Sequence, residues 1–299
     1  MRAILTTLVC LCCLPSLLEA QVALSELMNW NTKIEAGQGY AGYCDWVELY
    51  AETTTDLSQW SLSDDPERPQ RWAFPEEVIL KAGEYLTVFA DGYDIGFHTN
   101  FRLASSGEWI GLYNPEGQIV DSLSIPFLQR NLSMGRHLET KAWGWYDQPT
   151  PGAANESVWY RGFAERPYFS QLPTFYQETQ TIQILHDDPE VTIRYELGGF
   201  LVDSQSIIHN SPISLSSTNV IRAKAYKAGY LPSKTVTQTY FIAETPPGIP
   251  VMAITTNPPN LWDDQIGIYV TGTNGIRDNG PASDPPRNWN QDWERESVF

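Results

Sequence analysis

Histidine and serine often carry catalysis, and neither occurs here in a catalytic spacing. The histidines are His98, His137, His186 and His209. Two zinc ligands on one helix lie about one turn apart, so this wide spacing argues against such a site. The nucleophile turn Gly-x-Ser-x-Gly is also absent from the sequence. A glycosidase pair of carboxylates is a weaker alternative, because spacing does not reveal which acids converge. We predict a chain with no catalytic residues and no metal ligands.

Three acidic pairs raise the question of calcium, which prefers oxygen ligands. They are Asp64-Asp65, Asp187-Asp188 and Asp263-Asp264. None of them follows the spaced Asp-x-Asp-x-Asp-Gly loop that surrounds calcium in helix-loop-helix sites. Asp is also a common turn residue, because its side chain accepts hydrogen bonds from nearby backbone N–H groups. We therefore predict turns and no cofactor, with structural calcium as the alternative.

Aromatic residues offer the clearest candidate for ligand binding. The sequence contains 11 Trp, 15 Tyr and 11 Phe, and a β-sandwich buries most of its aromatics. Trp143, Trp145 and Tyr146 differ because they surround Gly144 in a turn-rich segment. In an extended chain, Trp143 and Trp145 share one face and could stack on a sugar or a peptide. We predict a binding platform at these three residues, with packing at the sandwich edge as the alternative.

The sequence pattern predicts that short strands position these residues. In residues 45–50 (DWVELY), Trp46, Glu48 and Tyr50 fall on one face of a strand, because strand side chains alternate. In residues 24–28 (LSELM) the same alternation groups Leu24, Glu26 and Met28. Similar runs recur between Gly-, Pro- and Asp-rich turns, and no long amphipathic helix interrupts them. This pattern predicts an all-β fold and excludes the βαβ units of nucleotide-binding folds.

The pattern divides the chain into several parts. We predict a first β-domain at residues 21–155, a linker at 156–172 and a second β-domain at 173–242. A Pro-rich linker at 243–250 and a partly ordered C-terminal segment at 251–299 follow. The chain is long enough for two ordinary domains. Its formal charge of -17 excludes nucleic acid as a partner, because phosphates are bound mainly by Lys and Arg.

The N-terminus has the order of a secretory signal peptide. Arg2 precedes an apolar run at residues 3–18, and a small residue, Ala20, precedes Gln21. We predict a signal peptide at residues 1–20, cleaved between Ala20 and Gln21, and a mature protein that is secreted or at the cell surface and does not span the membrane. Cleavage would remove three of the four cysteines and leave Cys44, so we expect no internal disulfide.

The first domain resembles the lamin tail domain, over residues 22–155. The resemblance rests on motifs in family order: 24–28 (LSELM), 45–50 (DWVELY), 57–64 (LSQWSLSD), 83–90 (GEYLTVFA) and a closing turn at 149–155 (PTPGAAN). It implies an immunoglobulin-like β-sandwich of a kind also found in secreted bacterial proteins.

The second domain, residues 173–242, resembles the chitobiase/beta-hexosaminidase C-terminal module. The motifs are 192–199 (TIRYELGG), 211–213 (SPI) and 221–230 (IRAKAYKAGY). This resemblance implies a fibronectin-like sandwich, appended to secreted enzymes and without catalytic residues of its own.

Residues 249–299 resemble the truncated start of a CotH-type protein, a family named for a spore-coat kinase. The matching runs are 250–254 (PVMAI), 260–270 (NLWDDQIGIYV) and 289–299 (WNQDWERESVF). Together, the resemblances predict a secreted, non-catalytic protein that binds or targets polysaccharide, cell wall or a surface protein. The alternative is the N-terminal part of a larger extracellular CotH-type, kinase-like enzyme.

Overall fold

A computed structural model describes residues 21–34, 42–127, 129–273, 288 and 293–298. The chain forms two compact units, Met1–Trp159 and Tyr160–Phe299. Nearly all regular structure is β, which confirms the predicted fold class. The predicted signal peptide, including Ala20 of the cleavage pair, lies outside the described residues. No helix in the described part of the chain is both long and apolar enough to span a membrane.

The first unit contains two main sheets. In chain order, its strands are β1 (Val22–Met28), β2 (Trp46–Ala51), β3 (Thr55–Asp56), β4 (Ser61–Ser63), β5 (Trp72–Ala73), β6 (Ile79–Leu80), β7 (Tyr85–Phe89), β8 (Glu108–Tyr113), β9 (Ile119–Ile125), β10 (Ser133–Arg136), β11 (Trp143–Tyr146) and β12 (Trp159–Tyr160), in which the unit ends. One sheet has the order β12-β11-β10-β1-β2-β7 and the other β5-β4-β8-β9, and β3 pairs with β6.

The inner faces of the first unit are apolar and fully buried, as a sandwich requires. The buried side chains include Leu24, Leu27, Val47 and Leu49 from one sheet and Leu62, Ile110 and Leu112 from the other. The pairing of β1 with β2 shifts register between Leu24 and Glu26. This bulge adds one residue to β1 and turns Glu26 away from the face of Leu24. Glu26 therefore lies opposite Glu48, on the outer face of the larger sheet.

The second unit is built around a five-stranded sheet. In chain order, its elements are β13 (Tyr168–Phe169), β14 (Phe175–Tyr176), β15 (Gln180–Ile182), β16 (Ile184–Leu185), β17 (Thr192–Leu197), β18 (Ile207–Ile208), β19 (Ile213–Leu215), β20 (Asn219–Tyr226), β21 (Val236–Ile242), β22 (Thr255–Thr256), α1 (Pro259–Trp262) and β23 (Ser297–Val298). The main sheet has the order β14-β21-β20-β17-β18. Its core comprises Ile182, Ile184, Ile213, Leu215, Ile221, Ala223, Tyr240 and Ile242.

The stretch 156–172 differs from the predicted linker. The N–H of Arg161 donates to the carbonyl of Gly229 (3.0 Å), and the N–H of Ala164 donates to that of Leu231 (2.8 Å). β13 also pairs with β16. Because these backbone groups find partners in the second unit, the chain from Arg161 onward is part of that unit and not a free connection.

The C-terminal segment contains α1 and one strand pair among its described residues. β22 pairs antiparallel with β23, through Thr255 opposite Val298 and Thr256 opposite Ser297. Residues 274–287, 289–292 and 299 lie outside the described part of the segment.

Candidate functional site

The first unit carries a groove with aromatic walls and a charged floor, which we call the tyrosine groove. Its volume is about 240 Å³. The residues that line it include Leu24, Ser25, Tyr50, Glu52, Tyr85, Asp121, Arg136, His137, Lys141 and Asn155. These residues come from β1, β2, β7, β9 and β10 and from the connections that follow β2, β10 and β11. The site is therefore held mainly by paired strands and not by a single loop.

Tyr50 and Tyr85 face each other across the pairing of β2 with β7. Their ring centroids are 4.9 Å apart, at an interplanar angle of 40°. Both residues are half-buried, so each is partly accessible to solvent. Lys141, in the connection from β10 to β11, places its ammonium 5.6 Å from the Tyr50 ring centroid. The Tyr85 phenol is protonated at neutral pH and can donate a hydrogen bond there, and burial raises its pKa further.

The floor of the groove is an ion pair between Arg136 and Asp121. Nη2 of Arg136 donates to both carboxylate oxygens, at 2.9 and 2.8 Å. Its Nε donates to the carbonyl of Leu24 (2.9 Å) and its Nη1 to that of Lys141 (3.0 Å). Trp143 covers the guanidinium, with 4.6 Å between Cζ and the ring centroid. These contacts fix the charged floor in one position, a property that a selective site needs.

The three aromatic residues that the sequence singles out do not form an exposed platform. All three lie on β11, but Trp145 is only 9% exposed and Tyr146 only 1%. The hydroxyl of Tyr146 donates to the carbonyl of Arg136 (3.2 Å). Trp143 is half-buried and supports Arg136. Trp145 lies opposite Met134, which lies opposite the buried Leu27, so its ring is on the face that packs into the core. Ligand binding at these three residues stays a prediction.

A pair of buried glutamates lies beside the groove. Glu26 and Glu48 are register partners on β1 and β2, and neither is exposed. Glu26 accepts hydrogen bonds from the hydroxyl of Ser133 and from the N–H of Thr150 (3.0 Å), and Glu48 accepts one from the N–H of Gly152. We call this arrangement the glutamate clasp, because two carboxyl groups hold the closing turn at residues 149–155.

Burial controls the protonation of the clasp. It raises the pKa of Glu26 and raises that of Glu48 to about 8, where the neighbouring Glu26 charge adds to the effect. Oε1 of Glu48 is buried and has no partner among the described residues. At neutral pH the pair thus retains a proton, which reduces the repulsion between the two acids.

Asn155 connects the clasp to the groove. Its side-chain amide donates to the carbonyls of Ser25 (3.3 Å) and Arg136 (3.1 Å), and its oxygen accepts from the hydroxyl of Thr150 (3.0 Å). Asn155 also lines the groove. Asn155-Glu156-Ser157 has the spacing of a glycosylation site, but this buried asparagine is engaged in the folded unit.

The three acidic pairs make contacts typical of turns and surface ion pairs. Asp64 pairs with Arg71, Asp188 pairs with Lys227 (2.6 Å), and Asp263 accepts from the N–H groups of Gln265 and Ile266. Within the described ranges, no three His, Cys, Asp or Glu side chains are grouped to hold a metal ion. Structural calcium stays a prediction.

Comparison with known families agrees with two of the three resemblances. The family model of the Lamin Tail Domain matches residues 18–126, and that of the Chitobiase/beta-hexosaminidase C-terminal domain matches residues 172–237. The predicted recognition of these two domains, in this order, is confirmed. A search of curated proteins finds no match. The two family matches do not reach residues 249–299, where the resemblance to a CotH-type protein stays a prediction.

Sequence reasoning missed Tyr50 and Tyr85. The sequence does place Tyr50 at the end of one predicted strand, in residues 45–50, and Tyr85 near the start of another, in residues 83–90. Those two positions meet only if β2 and β7 are neighbours in this register. Sequence alternation assigns a face to each tyrosine, but it does not identify the partner strand.

Proposed function

We propose that this protein is a secreted or cell-surface, non-catalytic module that binds carbohydrate, and that the tyrosine groove holds a sugar ring. The match to a C-terminal domain named for chitobiase and beta-hexosaminidase supports an association with carbohydrate. The signal-like N-terminus and the net charge of -17 are consistent with an exported protein. The expected partner is a polysaccharide of the cell wall or matrix.

The observation that carries this proposal is the combination of two tyrosine rings with a fixed Arg–Asp pair in one groove. Sugar rings present apolar C–H faces and a rim of hydroxyl groups. Aromatic side chains cover the first, and charged or amide groups satisfy the second by hydrogen bonding. The volume of about 240 Å³ lies below the range of roughly 300–1,000 Å³ of sites for drug-sized ligands. The groove thus suits one ring of a longer chain.

The acids in the groove favour binding over hydrolysis. A glycosidase uses two carboxyl groups on either side of the scissile bond. Of the two acids that line the groove, Asp121 already accepts hydrogen bonds from Arg136 and from the N–H of Leu24 (2.9 Å). Glu52, which is exposed, is the other. A pair of free, facing carboxylates is therefore not assembled at this site.

Replacement of the tyrosines tests the proposal. We expect Tyr50→Ala and Tyr85→Ala each to weaken binding of the full chain to soluble chitin or cellulose oligosaccharides about ten-fold, because an aromatic contact contributes on the order of 1 kcal/mol or more. Isothermal titration calorimetry measures the affinity. Tyr43→Ala is the control, because Tyr43 is an exposed tyrosine of the same unit that does not line the groove. Equal affinity of all three variants and the wild type would contradict the assignment of the groove.

A further inference from the structure

The outer face of β20 in the second unit carries a buried cation. Along this strand Ile221 and Ala223 belong to the core, so Arg222 and Lys224 point to the opposite face. Arg222 is only 4% exposed. Burial lowers the pKa of both side chains, and the nearby carboxylate of Glu296 offsets only part of this effect. A buried charge that is only partly compensated is costly, so this arrangement requires an explanation.

The polar atoms around Arg222 leave part of its guanidinium unsatisfied. Nη1 donates to the carbonyl of Gly199 (3.1 Å), whereas Nε is buried without a partner in the described ranges. Thr237 lies directly opposite on β21, and its hydroxyl is likewise buried and unpartnered. Glu196 lies opposite on β17, but the described residues show no ion pair between it and Arg222. Two unsatisfied polar groups on adjacent strands thus share one face.

A cavity of about 260 Å³ opens at this point of the second unit. Its lining includes Arg222, Asn257, Asn260 and Ser297, the half-buried Arg295, which donates to the carbonyl of Ile266, and the exposed residues Glu294 and Glu296 at its rim. The rim acids are in contact with solvent, which screens their charge. The buried charge in the lining is therefore the positive charge of Arg222.

We propose that this cavity is a binding site for a small carboxylate, such as that of a sugar acid, with Arg222 as its principal partner. A guanidinium presents N–H donors in a planar fork that matches the two oxygens of a carboxylate. The side-chain amides of Asn257 and Asn260, which also line this cavity, supply further hydrogen-bonding groups. A carboxylate carries a single charge, so the rim acids oppose it less than they oppose a doubly charged phosphate. This site is independent of the tyrosine groove.

Titration of the full chain with glucuronate, glucose and inorganic phosphate tests the proposal. We expect saturable binding of glucuronate by calorimetry, and binding of phosphate at least ten-fold weaker. Arg222→Leu should weaken glucuronate binding about 10- to 100-fold, because it removes charge-assisted hydrogen bonds. Arg222→Lys keeps the charge but loses the fork, so an intermediate loss is expected. Glucose, which lacks the carboxylate, should bind to this site at least ten-fold more weakly than glucuronate, which separates it from sugar binding at the tyrosine groove.

Two further variants keep the test decisive. Arg194→Leu is the control, because Arg194 lies on the neighbouring strand β17 and already donates to the carbonyl of Ser206 (2.6 Å). Its affinity for glucuronate should equal that of the wild type. Asn257→Ala removes an amide that lines the cavity and should weaken binding several-fold, even if the Arg222 variants do not fold. The proposal is overturned if wild-type protein does not bind glucuronate, if phosphate binds more tightly, or if Arg222→Leu or Asn257→Ala retains full affinity.

Discussion

Each of the two units buries ionisable side chains on the outer face of its main sheet. The two units differ in how many hydrogen bonds these side chains make. The first unit buries Glu26 and Glu48, and three of their four oxygens accept hydrogen bonds from Ser133, Thr150 and Gly152. The second unit buries Arg222, for which one hydrogen bond to Gly199 is found among the described residues. When groups of the same unit supply most of the hydrogen bonds to a buried charge, the charge helps to hold that unit together. When they do not, a ligand can supply the missing hydrogen bonds.

The difference also concerns protonation. A carboxyl group can become neutral when it is buried, and the raised pKa of Glu48, about 8, shows this response. A guanidinium keeps its proton at every physiological pH, even though burial lowers the pKa of Arg222. The first unit can therefore adjust to pH through its glutamate clasp, whereas the second unit needs a counter-charge.

The largest expected effect is a loss of stability of the first unit as the pH rises. The folded unit holds the proton of Glu48 more tightly than the unfolded chain does, so the contribution of Glu48 to stability is greatest below the ordinary carboxyl pKa and is lost as the pH rises to about 8. The raised pKa of Asp45 acts in the same direction but only up to about 6. Between pH 6 and 8 we expect a loss of roughly 1.4 kcal/mol per pH unit, measured by scanning calorimetry of the full chain.

The second unit provides the contrast in the same experiment. Burial lowers the pKa of His209, so that group lowers stability as the pH falls through its folded-state value and does not oppose folding as the pH rises. Glu48→Gln is the matched variant, since it keeps the shape of the side chain and removes its titration. It should flatten the pH dependence of the first unit above pH 6. A wild-type transition that does not move between pH 6 and 8 would contradict the raised pKa.

The next largest effect is expected where the closing turn packs against β10. Gly135 has no side chain, and a Cβ added there would lie 2.6 Å from Nδ2 of Asn155 and 2.9 Å from Cε2 of Tyr146. Gly135→Ala should therefore displace Asn155, weaken the glutamate clasp and destabilise the first unit by about 2–3 kcal/mol. Urea denaturation measures the change. Gly162→Ala, where a Cβ meets nothing within 4 Å, is the control and should be nearly neutral.

The fold class could be predicted from sequence because strand alternation and turn residues are local signals. The glutamate clasp could not, for a specific reason. Simple alternation groups Leu24 with Glu26, but the bulge between them reverses the face of Glu26 and brings it to Glu48. A single extra residue thus decides whether a carboxyl group enters the core or meets a second acid. That choice depends on pairing with β2, which lies far along the chain.

The candidate site, too, depends on strand pairing that the sequence of a single strand does not reveal. Alternation correctly indicates that Trp143 and Trp145 share a strand face, but exposure depends on which elements cover β11. The structure covers Trp145 and leaves Trp143 half-buried against Arg136. Tyr50 and Tyr85 come together through strand pairing. A prediction from single strands therefore finds aromatic residues, but it does not find the pairs that form a groove.

The smallest expected effect tests whether a well-satisfied cation tolerates the loss of one partner. Arg136 of the first unit has Asp121, two backbone carbonyls and the ring of Trp143 around it. Trp143→Leu removes only the ring, so we expect a loss of about 0.5–1 kcal/mol in stability by urea denaturation and an intact ion pair. If this variant instead destabilises the unit as strongly as Gly135→Ala does, the ring is essential. The contrast between Arg136, which has many partners, and Arg222, which has one hydrogen bond, would then need revision, because the number of hydrogen bonds would no longer explain which cation tolerates the loss of a partner.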